Sequence, residues 1–378
     1  MIVPFQNLKL LHKPIFRELK NSFSKNLNES NFILGKNVLQ FEREFSLYNG
    51  VKYSVGVSNG SDAIFLAIKA LNLSKDSEII LSAMTYISAA YSVLFNDFKL
   101  VLCDIDYDTG LMDLDLLKKK ITKKTKCIIS TDLNGNVVNR LELNNIIRNK
   151  GIFLINDSSH AHGSFDCSAC SNNKNSQCCR KGKKSGFDSD ISCFSLYPGK
   201  NLGALGDAGI ITTNNKKFYK HLIKLRNFGS VKKYHHEILG YNYKLDNIQA
   251  SFLSIKLKKL NVWNKKKAAI ASFYKKNIKN EKINFLINSK GSSFYGFVVL
   301  TKYRDKLKKF LNKKKIQTNI YYPFSINKHK SLKVFFKDNS FSEAEKFSNN
   351  SLVLPICSTL TKKQIEHVVK SVNSFMRA

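Results

Sequence analysis

Between about residues 50 and 215, short apolar runs alternate with segments whose apolar positions recur every three or four residues. The runs "KYSVGVS", "EIILSA", "KLVLCDI", "KCIIST", "IFLIND", "ISCFSL" and "AGIITT" predict strands. "SDAIFLAIKALNL" and the stretches 87–97, 113–122 and 141–150 carry helical spacing. This alternation predicts an α/β fold with a mostly parallel central sheet and helices on both faces. Ligands of such sheets bind beyond the carboxyl ends of the strands.

The second half of the chain has a different rhythm. One long helix is predicted from about 245 to 275. A strand at "SSFYGFVVLT", a basic helix at 303–314, a strand at "IQTNIYY" and a last helix after Pro355 follow it. These predict a smaller α+β domain. The expected division is an N-terminal segment, 1–25, packing on the small domain; a large domain, 26–250; and a linking helix with the small C-terminal domain, 251–378. Residues 167–180 break the pattern. They are polar, aperiodic and cysteine-rich, and they predict an inserted surface loop.

Composition narrows the classes. A chain of 378 residues, 43% hydrophobic, suits two domains with a sizeable core and excludes disorder for most of its length. The formal net charge is +34, yet only 8 of the 62 basic residues are arginine, the side chain that base and phosphate readers lean on. Lysine is spread along the whole chain, a usage bias more than a binding patch, and nucleic acid is not the expected partner. The excess charge can still attract an acidic substrate such as a nucleotide diphosphate. No run reaches the ~18 apolar residues of a membrane helix, and no secretory signal is legible. A soluble, cytoplasmic protein is expected. Cys103, Cys127, Cys193 and Cys357 sit in apolar contexts and read as reduced core thiols.

Three motifs carry candidate chemistry. In "SNGSDA", Gly60 permits a tight turn after a strand, and Ser61 and Asp62 open a helix whose free N–H groups favour an anion. An ordinary capped helix explains the same residues. In "LINDSSHAHG", Asp157 follows an apolar run at a strand's carboxyl end, where a carboxylate is costly unless paired. A cation on a ligand ring would pair it; the alternative is a helix cap. His160 and His162 lie close by without a third ligand, so no metal is expected. The insertion's C-x2-C-x7-C-C spacing matches no common zinc site either. In "CFSLYPGKNLGALGDAG", Lys200 sits in a glycine-rich loop straight after a strand, with Ser195 five residues earlier. Such a lysine can form a Schiff base if burial lowers its pKa. An anion cradle, a buried aspartate and a glycine-flanked lysine at the ends of one sheet suit one cofactor, pyridoxal 5′-phosphate.

The order of motifs resembles the DegT/DnrJ/EryC1/StrS aminotransferases, from "NFILGKNVLQFEREFSLYNGVKYSVGVSNGSDAI" through "CDIDYDTGLMD" to "LVLPICSTLTKKQIEHVV". The resemblance implies a type I aminotransferase fold, a homodimer with shared sites, and transfer of an amine from glutamate to a nucleotide-linked keto-sugar. By resemblance, Lys200 is the lysine that binds the cofactor aldehyde and Asp157 keeps the pyridine nitrogen protonated. His160 stands near the ring's phenolic oxygen and Tyr86 stacks on the ring. Gly60, Ser61 and Ser195 hold the phosphate, with Asp62 adjoining. Asn242 reaches the phosphate of the neighbouring subunit, and Lys244 replaces the usual arginine there. Asn327 replaces a frequent histidine in "YYPFSINKH". A dTDP- or UDP-linked 3-keto-hexose is the expected acceptor, serving amino-sugar and polysaccharide synthesis such as that of O-antigen. Three other readings compete: amination at carbon 4, a sugar dehydratase, and a non-catalytic regulatory or nucleic-acid-binding protein. Lys200 opposes the dehydratases, which carry histidine in its place.

Overall fold

The computed structural model describes residues 1–166, 183–336 and 340–376. The predicted insertion, 167–180, therefore lies outside the described residues.

All seven predicted strands form, and they make one sheet. They are β1 (Tyr53–Val57), β2 (Glu78–Ser82), β3 (Lys99–Cys103), β4 (Thr125–Thr131), β5 (Phe153–Asp157), β6 (Ile191–Ser195) and β7 (Gly209–Thr213), in the order β1-β7-β6-β5-β4-β2-β3. Pairing is parallel from β3 through β6, and only β7 runs antiparallel to its two neighbours. Alternate residues of each strand feed opposite faces. Ile79, Ile129, Ile155 and Cys193 pack under helices α3 (Gly60–Ala70), α4 (Ile87–Leu94) and α7 (Lys216–Leu225). Ile80, Ile128 and Leu154 face the other way, toward α5 (Leu114–Lys120) and α6 (Arg140–Ile147). Phe194 and Ile210 meet α2 (Lys36–Asn49) and the first half of α8 (Asn247–Asn277). Burial on both faces explains why these strands are near-continuous apolar runs.

Helix α8 carries the chain into a three-stranded antiparallel sheet of β8 (Asn284–Phe285), β9 (Phe297–Leu300) and β10 (Ser351–Leu354). Helices α9 (Arg304–Lys313) and α10 (Lys362–Asn373) and the second half of α8 cover it over a separate cluster that includes Tyr274, Leu307 and Val368. The expected strand at "IQTNIYY" is not a ladder. Ile316 bridges Val3 and Asn319 bridges Val353, each as an isolated contact, because the segment is shared between two partners. Helix α1 (Phe16–Glu29) lies on the first half of α8, through Leu19 and Phe252, while residues before it reach Ile316 and Tyr321. Among the described residues no helix is long and apolar enough to cross a membrane.

Candidate active site

Parallel strands end on the same edge, so their following loops converge. A cavity of about 530 Å³ opens there. Gly60, Ser61, Asp62, Tyr86, Asp157, His160, Ser195 and Lys200 all line it. Asn242 does not; it is exposed, and its side chain accepts a hydrogen bond from Lys244.

The candidate anion cradle is built by close approach. Asn59 caps α3, accepting the Asp62 N–H at 2.9 Å. A Cβ at Gly60 would stand 2.5 Å from the Ser195 Cβ, so glycine lets the helix end close on β6. The Asp62 carboxylate is taken by Ser58 and Asn59. Burial pushes its pKa up, Ser58 and Asn59 oppose that, and Asp207 adds to it.

Asp157 ends β5 and is only 4% exposed. The backbone N–H of Ser159 donates to it at 3.0 Å. Burial raises its pKa, while Ser159 and the Lys200 charge work against the rise. Behind it lies a buried network. Arg140 donates to Asp132 at 2.7 Å and to Ser130 at 2.8 Å, and it also bonds Asn156, the residue before Asp157. The Asp132 N–H donates to the Asp157 carbonyl at 2.9 Å, completing the tie between β4 and β5.

Lys200 rises from a tight loop in which its own N–H donates to the Tyr197 carbonyl at 2.8 Å. Gln6 holds the preceding residue through a 2.7 Å hydrogen bond to the Gly199 carbonyl. Its amine stands 4.9 Å from the centre of the Tyr295 ring. Burial brings its pKa from 10.5 down to about 8, which the Asp157 charge only partly resists.

The remaining wall was not legible as a site. Tyr295, Tyr321 and Tyr322 come from the second half of the chain and join Tyr86 and Tyr197 around the cavity. Gly135, at φ +95, allows this: a Cβ there would stand 2.7 Å from the Phe294 nitrogen. Tyr295 stacks on His160 with ring centres 4.0 Å apart. Burial, helped by Lys200, holds His160 neutral well below its ordinary pKa. His162 is also buried, is pushed down to about 3, and does not line the cavity. Asn327 bonds Glu345 at 2.9 Å, away from the cavity wall. Among the described residues no group of three or more His, Cys, Asp or Glu side chains could hold a metal.

These residues fit pyridoxal phosphate. A buried carboxylate that forms no ion pair among the described residues suits a ring cation, and a helix end that only glycine can seat suits a phosphate. Over residues 15–373 the sequence matches the DegT/DnrJ/EryC1/StrS aminotransferase family. The chain belongs to that family.

It is a pyridoxal phosphate-dependent nucleotide-sugar transaminase. A dTDP-3-amino-3,6-dideoxy-alpha-D-galactopyranose transaminase of Aneurinibacillus thermoaerophilus is 34% identical over 376 residues, covering 99% of each chain. The crystal structure of S. venezuelae DesV in complex with a ketimine intermediate superposes with a TM-score of 0.93 at 29% identity, covering 100% of this chain and 99% of that one. The structure of NtdA from Bacillus subtilis with bound cofactor PMP gives 0.89 at 25% identity, covering 98% of this chain and 84% of the other. The transaminase thus has the type I fold that the family resemblance implies.

Proposed function

We infer that this transaminase moves an amino group from glutamate to a dTDP- or UDP-linked 3-keto-hexose, for amino-sugar and glycan synthesis in the cytoplasm. The observation that carries the reading is the placement of Lys200 and Asp157 on one cavity beside a glycine-seated helix end. The names of three relatives put the amine or the ketone at carbon 3 of a dTDP- or UDP-linked sugar, which favours that carbon over carbon 4.

Pyridoxal phosphate, when bound, supplies the electron sink that lets a proton leave an amine-bearing carbon. The chain's residues do the rest. Asp157 holds a proton on the pyridine nitrogen. Its carboxylate is rigid because the Ser159 N–H and the Asp132–Asp157 backbone bond fix it. Lys200 Nζ would hold the cofactor aldehyde; once displaced by the incoming amine, the freed amine would take the proton from the substrate carbon and return it on the cofactor's side. A pKa of about 8 leaves roughly one amine in ten neutral at pH 7, against fewer than one in a thousand for an ordinary lysine. The N–H groups of Gly60 and Ser61 and the Ser195 hydroxyl hold the phosphate. Tyr86 would pack against the ring and His160 would serve its phenolic side, both from the cavity wall. Asn242, absent from its own chain's cavity, reaches the phosphate of the partner subunit, so the working unit is a homodimer with shared sites.

Borohydride reduction of the loaded protein, followed by peptide mapping, tests the lysine. A pyridoxyl group on Lys200 is the expected result, and the group on any other lysine overturns the reading.

A further inference from the structure

One hydroxyl in the cavity wall has its direction set by its neighbours. The Tyr322 Oη lies 3.1 Å from His160 Nε2. On the other side of the imidazole, the Asn134 backbone N–H points at Nδ1 from 3.4 Å. A backbone amide can only donate, so Nδ1 carries the lone pair. His160 is held neutral by burial and by the Lys200 charge, and it has a single ring proton. That proton is therefore on Nε2, and it is donated to Tyr322 Oη.

The hydrogen of Tyr322 must then go elsewhere. Tyr86 and Tyr321 flank it with ring centres at 5.6 and 5.8 Å, and neither makes a hydrogen bond to its hydroxyl. Among the described residues His160 is the hydroxyl's hydrogen-bond partner, and no protein oxygen is placed to accept its hydrogen. The open direction is the cavity that Tyr322 lines.

We propose that Tyr322 reads the acceptor sugar: the Asn134–His160–Tyr322 relay aims a hydroxyl hydrogen into the cavity, where it donates to an oxygen of the keto-hexose. This rests on the transaminase reading above and deepens it by naming the residue that recognises the acceptor. A keto-hexose presents a carbonyl and hydroxyl oxygens, all of which accept hydrogen bonds. Tyrosine rings with one oriented donor suit a neutral sugar ring.

The test separates the two halves of transamination in the holoenzyme by following the cofactor's absorbance. Tyr322→Phe keeps the ring and its packing. It is expected to slow the keto-sugar half-reaction about ten-fold more than the glutamate half-reaction, and to weaken binding of the amino-sugar product by a similar factor. Equal slowing of both halves would place the hydrogen bond on the cofactor and overturn the proposal. Nitrogen NMR of histidine-labelled wild-type apoprotein gives a readout without turnover. Protonated Nε2 and bare Nδ1 at His160 are expected, and the opposite tautomer overturns the relay. A wild-type enzyme that completes the glutamate half but aminates no nucleotide keto-sugar refutes the acceptor reading itself. Wild type completing both halves, with Tyr322→Phe matching it in each, refutes only the assignment to Tyr322.

Discussion

Replacing Lys200 with methionine keeps most of the side chain's length and removes its charge. The change should alter how apoprotein stability depends on pH. Burial beside Tyr295 brings the amine from 10.5 down to about 8. From about pH 8 to pH 10.5 the unfolded chain therefore holds a proton that the folded chain has released. Stability rises with pH wherever the unfolded state binds more protons. At roughly 1.4 kcal/mol per pKa unit, this one group stabilises the wild type by about 2 kcal/mol more at pH 9.5 than at pH 7. Lys256 and Lys267 also sit at about 8, but they titrate in both proteins and cancel. Urea denaturation of both apoproteins at the two pH values is the assay. The stability difference should shift by about 2 kcal/mol toward the wild type on raising the pH. Parallel profiles would show that the Lys200 amine binds protons with ordinary affinity, and would refute the argument that burial prepares a neutral nucleophile.

Asp157→Asn should cut turnover by about a hundred-fold or more while the protein still folds, because an amide cannot hold the ring proton; steady-state kinetics beside a thermal melt check both halves of that statement. Gly60→Ala should weaken pyridoxal phosphate binding and cost about 1–3 kcal/mol, since its Cβ must displace Ser195; retained cofactor affinity would count against the cradle. Arg140→Met should destabilise by about 3–5 kcal/mol by stranding the buried Asp132 charge, and adding Asp132→Asn should restore much of the loss in a double-mutant cycle. Co-refolding Lys200→Ala with Asn242→Ala chains should give more activity than either parent, since a heterodimer holds one site with neither lesion; proven subunit exchange without recovery would place Asn242 outside the partner's site.

Local patterning carried the large sheet because its strands are buried on both faces, leaving apolar runs that need no tertiary context to read. The residues at strand ends were legible for the same reason. Asp157, Ser195 and Gly60 each follow such a run within three residues, and Lys200 follows five residues after Ser195. Where two elements share one segment, the pattern failed. The stretch at 316–322 has strand composition but divides its pairing between Val3 and Val353. The strand β10, just before Pro355, was not predicted. The tyrosine wall was hidden more deeply. Tyr295 and Tyr322 reach the cavity only through packing of the second half of the chain against the loop at Gly135. The one local trace was the pair of tyrosines in "YYPFSINKH", where a polar ring next to proline has no periodic partner. The Asp132–Arg140 pair left no trace, since each residue alone is an ordinary charged side chain at a helix or loop boundary.

The central claim is that this chain carries an amino group from glutamate to a nucleotide-linked 3-keto-hexose through Lys200. Isotope transfer tests it most directly. The purified enzyme, loaded with pyridoxal phosphate, is mixed with nitrogen-15 glutamate and dTDP- or UDP-linked 3-keto-hexoses, and the products are read by mass spectrometry. The account predicts nitrogen-15 in a nucleotide-linked 3-amino sugar, with one 2-oxoglutarate formed per amine transferred, and no transfer by Lys200→Ala. Labelled product from Lys200→Ala at the wild-type rate, or no labelled sugar from a wild-type enzyme that converts glutamate, would contradict it.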